Sequence, residues 1–239
     1  MEGRRFTGVR RIGKRIVFEL EGDFFAVIHL MISGRLRWCE RGASVPKKPG
    51  HAAFDFANGT LLLTEASTHK RASLHVVHGE EALAGLVPDG VEPLEVDFQE
   101  FREALLRENR TLKRALTDLR ILSGIGNAHS DKILLDARLS PVRRTRQLDQ
   151  VELLRLFEST RRSLSEWVER LLTEFGDEFP VKITAFHEAM TAHGKFGQPC
   201  PRCGASIQRI VHGERETNYC PNCQTGGKLL KDRALSKLL

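Results

Sequence analysis

The stretch CPRCGASIQRIVHGERETNYCPNC, residues 200–223, decides the fold of the last part of this 239-residue chain. It contains two Cys-x2-Cys pairs separated by sixteen residues, which is the spacing of a tetrahedral zinc site with four thiolate ligands. Each pair can wrap one side of an ion, and the intervening residues are enough for a short hairpin. The spacing predicts one structural Zn²⁺, with an iron centre as the alternative. The predicted ligands are Cys200, Cys203, Cys220 and Cys223.

The residues between the two cysteine pairs alternate in polarity as two short strands do. A turn is predicted at His212-Gly213, which places Arg215 close to the second cysteine pair. A zinc-stabilised hairpin could hold this guanidinium rigidly, and a rigid guanidinium suits bidentate contact with a phosphate or a base edge. The alternative is that the zinc only folds a segment too small to have its own core.

The composition favours a cytosolic protein with a polyanionic partner. Hydrophobic residues make up 41% of the chain, and the first twenty residues do not form the uninterrupted apolar core of a signal peptide. Paired cysteines in a reducing cytosol are more often metal ligands than disulfides, and the fifth cysteine, Cys39, is interpreted as a strand-end residue. The net charge is +6, with basic excess in residues 1–48, 110–147 and 193–239. Three basic segments could form a footprint for a polyanion, or simply a solvated surface.

The periodicity of apolar residues changes along the chain and predicts an α+β protein. Short runs rich in branched and aromatic residues, separated by turn signals such as Asn58-Gly59, predict an antiparallel β-sandwich-like domain at the start. After a linker rich in proline and glycine, helical spacing takes over, with Asp149 as the expected N-cap of the last long helix. The predicted domains are residues 1–88 (β), 97–192 (helical), 193–226 (zinc-finger β-hairpin) and 227–239 (tail).

A second informative stretch is RILSGIGNAHSDKILLDARLSP, residues 120–141. Gly124 and Gly126 interrupt two predicted helices, and glycines here would let the amides at the next helix's N-terminus approach an anion closely. An ordinary helical hairpin can show the same pattern, so the spacing alone leaves both interpretations open.

Four segments together resemble the formamidopyrimidine-DNA glycosylase / endonuclease VIII family of base-excision repair enzymes. LSGIGNAHSDKILLDARLSPVR (122–143) resembles the family's helix-two-turn-helix motif, and GQPCPRCGASIQRIVHGERETNYCPNCQ (197–224) resembles its zinc finger. RRIGKRIVFEL (10–20) and HLMISGRLRW (29–38) resemble strands and a loop of its N-terminal domain. The resemblance implies a DNA glycosylase and abasic-site lyase that acts on duplex DNA with an oxidised base or an abasic site, as a monomer with the DNA between two domains.

The same resemblance implies a role for individual residues of this chain. Arg215 and Asn127 match the residues that hold the phosphates flanking the lesion, and Lys14 matches a lysine near the abasic sugar and its phosphate, which would assist catalysis. Ile32 takes the place of the methionine that fills the gap left by the flipped base. The family's Asp-Pro-Arg-Arg-Phe-Gly loop, which probes the opposite base, is replaced by TEASTHKRAS (64–73), where Lys70 or Arg71 is the expected substitute.

The start of the chain departs from the family pattern. The family's nucleophile is an amino-terminal proline, followed by a glutamate, on a helix that precedes the strand matching EGRRFTGVRR. The sequence begins at that strand, and Glu2 does not match the catalytic glutamate. A misassigned start with an in-frame upstream proline is the favoured explanation, because a sheet without its opening strands would expose apolar edges.

Two rival functions remain open. One is a catalytically inactive protein that binds damaged DNA, and the other is a zinc-ribbon protein-interaction module on a helical domain. The sequence assigns neither the preferred lesion nor the opposite base.

Overall fold

The computed structural model describes residues 2–180, 183–212 and 215–230, with only the backbone at His212. The predicted turn at residue 213 and most of the predicted tail, from residue 231 on, lie outside these residues. By internal contacts, the chain divides into two compact units. The first reaches to Val87 and also includes Phe175–Ile183, and the second comprises Pro88–Glu174 and the chain from Thr184 onward.

The first unit is an antiparallel β-sandwich. Its seven strands are β1 (Phe6–Ile12), β2 (Arg15–Leu20), β3 (Phe24–His29), β4 (Gly34–Cys39), β5 (Gly50–Phe56), β6 (Gly59–Glu65) and β7 (Ser73–His78). One sheet has the order β1-β2-β3-β7, and the other has the order β4-β6-β5. The β5–β6 hairpin turns at Ala57-Asn58, because Phe56 pairs with Gly59, so the turn lies one residue before the predicted Asn58-Gly59 position.

Alternation along the strands places apolar residues on both faces of the four-stranded sheet. Phe18 and Ile28 pack against Leu61 of the three-stranded sheet, and this is the core between the two layers. Val17 points the other way and packs against Leu83 of the short helix α1 (Glu80–Ala84). Strand residues that are buried on both faces explain why β2 and β3 read as almost continuous apolar runs.

An apolar cavity of about 800 Å³ opens in the first unit. Aromatic side chains from both sheets line it, and residues 177–180 and 183 complete the wall. Phe6 and Val9 of β1 lie in this wall and are 40% and 61% exposed.

The second unit is helical and ends in a two-stranded hairpin. Its helices are α2 (Phe98–Leu106), α3 (Leu112–Thr117), α4 (Asn127–Asp136), α5 (Gln150–Phe175) and α6 (Pro221–Thr225), and its hairpin strands are β8 (Gln208–His212) and β9 (Arg215–Tyr219). Fully buried aliphatic residues of α3, α4 and α5 form one core, including Leu116, Ile133 and Leu156. The expected N-cap of α5 is confirmed, because the Asp149 carboxylate accepts the Glu152 amide at 2.8 Å.

The antiparallel sandwich, the helical segment and the hairpin with four cysteines confirm the predicted α+β fold class. No helix in the described part of the chain combines the length and the apolar composition that a membrane crossing needs.

Asp118 directly follows α3, and its ion pairs should make the stability of the second unit depend on pH. Its carboxylate accepts a hydrogen bond from the Arg120 guanidinium at 2.8 Å and another from the Arg110 guanidinium at 2.6 Å. Arg120 has the larger effect, and the two arginines together lower the pKa of Asp118 from 3.8 to about 2, although burial acts in the opposite direction. A folded-state pKa below the unfolded value means that this stabilisation is present above about pH 4 and is lost as the pH falls towards 2.

We expect Asp118→Asn to remove the part of the acid destabilisation that lies between about pH 4 and pH 2, measured as the free energy of unfolding in urea at each pH. Glu158→Gln, at an exposed position on α5, is the matched control and should keep the wild-type pH profile. Identical profiles for Asp118→Asn and the wild type would contradict this assignment.

Candidate metal centre and nucleic-acid interface

The four predicted zinc ligands come together at the base of the β8–β9 hairpin. Their sulfur atoms all lie within 4.8 Å of one another, and those of Cys203 and Cys220 are 3.4 Å apart. Four thiolates at about 2.3 Å from one zinc ion have sulfur–sulfur distances of about 3.8 Å, so this arrangement fits a tetrahedral ion. The cysteines therefore form the site of one structural Zn²⁺.

Local backbone geometry explains why each cysteine pair can face the ion. After Cys200 the chain turns through Gly204, whose φ of 73° lies in the left-handed region, and the Cys200 amide donates to Ala205 O at 2.8 Å. At the second pair, Cys220 caps the short helix α6, and the Cys223 amide approaches its sulfur. Burial, and then the neighbouring cysteine sulfurs, raise the pKa of Cys223 to about 12. A bound metal cation would stabilise the thiolate form of this side chain.

The finger is attached to α4 through an apolar contact and through hydrogen bonds. Leu135 of α4 packs with Ile207 and with the buried cysteines Cys200 and Cys220. The Gln224 amide donates to Leu139 O at 2.9 Å. These contacts fix the hairpin relative to the helix, and they depend on the same cysteines that face the metal.

The two-glycine turn leads directly into α4. Gly124 has a φ of 85°, which favours glycine, and Gly126 is the N-cap of α4, with no side chain capping the helix's first amides. The turn therefore leaves the positive end of a ten-residue helix without a side-chain partner.

The structure brings Asn127 and the start of β9 together. The Asn127 side-chain amide donates to Glu216 O at 2.8 Å, across 89 residues of sequence. Glu216 follows Arg215, whose side chain is exposed at the first position of β9. Two of the residues singled out from the sequence therefore lie at one place, on the side of the finger that faces the α4 N-terminus.

A buried ion pair that the sequence analysis missed supports this turn. The Lys113 ammonium donates to Asn127 O and pairs with Asp131, which has no exposed side-chain surface. The other Asp131 oxygen lies 2.8 Å from His193 Nδ1. Burial lowers the pKa of Lys113, and the adjacent Asp131 opposes that change. The three residues are 18 and 62 positions apart, so no sequence spacing could have indicated the cluster.

The other candidate residues lie at one end of the β-sandwich. Lys14 is exposed in the β1–β2 turn. Across the sheet, Arg15 pairs with His29 and His29 pairs with Ser73. The β1–β2 turn therefore lies beside the start of the β3–β4 turn and the end of the β6–β7 segment. Burial lowers the pKa of His29, and the nearby charges of Arg15 and Lys14 lower it further.

Ile32, Lys70 and Arg71 belong to those two connections. Ile32 is 77% exposed in the β3–β4 turn, and Arg71 is exposed in the β6–β7 segment. The Lys70 ammonium donates to Glu65 O, so it is directed towards its own segment. Lys70 and Arg71 are the two basic residues expected to probe the opposite base. Because the Lys70 ammonium is bonded to Glu65 O, Arg71 is the better candidate of the two.

Three family models match successive parts of the chain. One described as the formamidopyrimidine-DNA glycosylase N-terminal domain matches residues 1–71. Another, the formamidopyrimidine-DNA glycosylase H2TH domain, matches residues 90–175. A third, a zinc finger found in FPG and IleRS, matches residues 197–226 and contains all four cysteines.

Curated relatives match over nearly the whole chain. A protein of Heliobacterium modesticaldum named formamidopyrimidine-DNA glycosylase is 35% identical over 232 residues, which are 94% of this chain and 83% of the relative. A protein of the same name from Pelotomaculum thermopropionicum is 32% identical over 226 residues, covering 92% of this chain and 82% of the relative.

Solved structures show the same fold. A mutant of the Lactococcus lactis FPG in complex with DNA that contains Fapy-dG superposes with a TM-score of 0.80 at 27% identity, covering 93% of this chain and 83% of that one. The Lactococcus lactis Fpg in complex with DNA containing an abasic site superposes with a TM-score of 0.78 at 26% identity, with the same coverage.

Proposed function

This chain belongs to the formamidopyrimidine-DNA glycosylase family, and on that premise we propose that it is a base-excision repair DNA glycosylase with abasic-site lyase activity. Its substrate is duplex DNA with an oxidised base or an abasic site. The observation that carries the proposal is the hydrogen bond from Asn127 to Glu216 O, because it joins the two-turn motif to the strand that bears Arg215. A cytoplasmic location and a monomeric state belong to the same proposal and fit the bacterial relatives.

The second unit supplies the contacts that hold the DNA backbone. Arg215 offers a charged fork for one phosphate, and the α4 amides with Asn127 offer neutral donors for another. Because Asn127 already donates one side-chain hydrogen to Glu216 O, its second amide hydrogen is the one available to a phosphate. The buried Lys113–Asp131 pair holds this turn in place before DNA binds.

The first unit supplies the residues that act at the lesion. A base must leave the stack before its glycosidic bond can be reached, and an apolar side chain is needed to occupy the gap. Ile32 is exposed at a turn and can do this, while Arg71 can reach the opposite base and Lys14 can bind near the abasic sugar.

Excision on defined duplexes tests this function. This chain and a version extended to an in-frame upstream proline are incubated with duplexes that carry formamidopyrimidine, an abasic site or no lesion, and base release, strand cleavage and borohydride-trapped adducts are measured. Release of the damaged base supports the proposal. Tight binding to the abasic duplex without release or cleavage would indicate a damaged-DNA binder, and binding without lesion preference and with a shallow salt dependence would indicate a protein-interaction module.

Arg215→Ala is expected to weaken binding to the abasic duplex by about 10- to 100-fold, because it removes charge-assisted hydrogen bonds to a phosphate. The dependence of log Kd on log salt concentration should become shallower by about one unit, as expected for one lost phosphate contact. Fluorescence anisotropy at several salt concentrations measures both quantities.

Arg202→Ala is the matched control for that change, since Arg202 is exposed in the same finger, between the cysteines of the first pair. It should leave affinity within about threefold. Equal losses for the two variants would mean that the finger contributes only general positive charge. Asn127→Ala should weaken binding as well, without changing the salt slope, because it removes no charge.

A further inference from the structure

Glu65 is a buried carboxylate at the end of β6, and it is hydrogen-bonded to two separate loops. Its side chain is 1% exposed. Oε1 accepts from Ser33 Oγ at 3.0 Å, and Oε2 accepts from the Arg71 and Ala72 amides at 2.9 and 3.2 Å. His51 Nε2 lies 3.2 Å from Oε2. One side chain thus joins the β3–β4 turn to the β6–β7 segment.

The β3–β4 turn has a conformation that needs external support. Met31 has a φ of 54°, in the left-handed region that a residue with a side chain rarely adopts. The Gly34 amide donates to Leu30 O at 2.8 Å, and a Cβ at Gly34 would lie 2.3 Å from that same oxygen. In this tight turn Ile32 is exposed at the tip, and the next residue, Ser33, is bonded to Glu65.

The β6–β7 segment, residues 66–72, is closed by the same residue. The Glu65 carboxylate accepts the amides of Arg71 and Ala72, and the Glu65 carbonyl accepts the Lys70 ammonium. The last residue of β6 and the last residue before β7 are therefore held close together, with the exposed Arg71 in the segment between them. The segment is a small closed loop fixed by one residue at its base.

The carboxylate is suited to this role because it is ionised. Burial opposes ionisation, but the hydrogen bonds from Ala72, Ser33 and Arg71 outweigh it, and the pKa of Glu65 lies below its usual value. An ionised carboxylate only accepts hydrogen bonds, and both oxygens are engaged here. A glutamine in its place would turn an NH₂ group towards some of these donors, and an NH₂ group cannot accept their hydrogen bonds.

We propose that Glu65 is a positioning residue that fixes the Ile32 turn and the 66–72 segment in one geometry. The two loops then act on the duplex as a single probe, with Ile32 in the gap and Arg71 at the opposite base, and their shared anchor sets the preference for the opposite base. This rests on the proposed function, but the coupling of the loops can be measured in the free protein.

Hydrogen exchange in the free protein tests the coupling without DNA. Glu65→Gln should speed exchange in both the 31–34 turn and the 66–72 segment, whereas Ser33→Ala should speed it in the turn alone. Glu40→Gln, at an exposed position beyond the other end of β4, is the matched control and should change neither. Unchanged exchange in Glu65→Gln, or a change confined to one loop, would overturn the proposal.

Single-turnover excision of formamidopyrimidine opposite each of the four bases tests the role in specificity. Glu65→Gln should lower the rate by about 10- to 100-fold with the preferred partner and bring the ratios between partners towards one, as expected for lost hydrogen bonds to a charged group. Glu65→Asp keeps the charge and should recover part of the preference. A fall of equal size with every partner would assign Glu65 a purely structural role.

The failure of the proposed function would look different. If neither this chain nor its extended version released a base from any duplex, that function would be wrong, and hydrogen exchange would still decide whether Glu65 couples the two loops. If Glu65→Gln did not fold, Ser33→Ala would remain as the test, because it removes the hydroxyl that joins the turn to Glu65. It should lower the rate and bring the ratios between partners towards one, and an unchanged preference would overturn the proposal.

Discussion

Replacing Cys220 with serine is expected to release the zinc ion and to lower affinity for the abasic duplex by at least about 100-fold. Cys220 is fully buried, it faces the other three sulfurs, and it packs with Leu135 and Ile207 where the finger meets α4. Without the ion, nothing as strong holds the two cysteine pairs together, because structural zinc contributes about 10–16 kcal/mol in small finger peptides. The hairpin that carries Arg215 would then lose its fixed position.

The measurements are zinc content per chain and duplex affinity by anisotropy. One zinc per wild-type chain is expected, and chelation of the wild type should reproduce the loss of affinity. Cys39→Ser is the matched control, because Cys39 ends β4 and lies outside the cluster of sulfurs. Loss of zinc together with wild-type affinity in Cys220→Ser would refute the role of the metal centre in DNA binding.

The zinc site and the general architecture could be predicted from the sequence because their signals are local. The Cys-x2-Cys pairs, the β5–β6 hairpin turn and the Asp149 cap each depend on residues a few positions apart. Strand and helix periods likewise repeat within a short window. The resemblance to a known family then related these segments to one another and to a function.

The interactions that hold the candidate residues in place could not be predicted in this way. Glu65 bonds a hydroxyl 32 positions away, and Asn127 bonds a carbonyl 89 positions away. In the sequence, a buried glutamate at a strand end and a buried lysine on a helix look like ordinary surface residues, because charge usually marks exposure. Their partners become apparent only when the strands are in register and the hairpin is docked on α4.

The same difference separates the residues proposed to bind DNA from the residues that hold them in place. Arg215, Ile32 and Arg71 are exposed, whereas Glu65, Asp131 and Lys113 are buried or nearly so. Ile32 and Arg71 lie in loops bonded to Glu65, and the strand of Arg215 is bonded to Asn127, which accepts from Lys113. A polar group that is buried without its partner is costly. Removing an anchor is therefore expected to change both stability and function, while removing an exposed group should change function alone.

Asp131→Asn is expected to destabilise the second unit by about 3–5 kcal/mol, because it leaves the Lys113 ammonium buried without a countercharge. Asp131 is fully buried and Lys113 is nearly so, which is the situation in which breaking an ion pair costs most. The free energy of unfolding in urea measures the loss. Glu169→Gln, at an exposed position on α5, is the control and should change it by less than about 0.5 kcal/mol.

A double variant separates the contribution to stability from the contribution to DNA binding. Lys113→Met with Asp131→Leu replaces the ion pair by apolar side chains, which often restores most of the lost stability. It also removes the bond from Lys113 to Asn127 O and the contact of Asp131 with His193, so the bond from Asn127 to Glu216 O loses the support of the buried pair. We expect this variant to recover stability and to remain weak in binding the abasic duplex. Recovery of both properties would show that the pair stabilises the fold without positioning the two-turn motif.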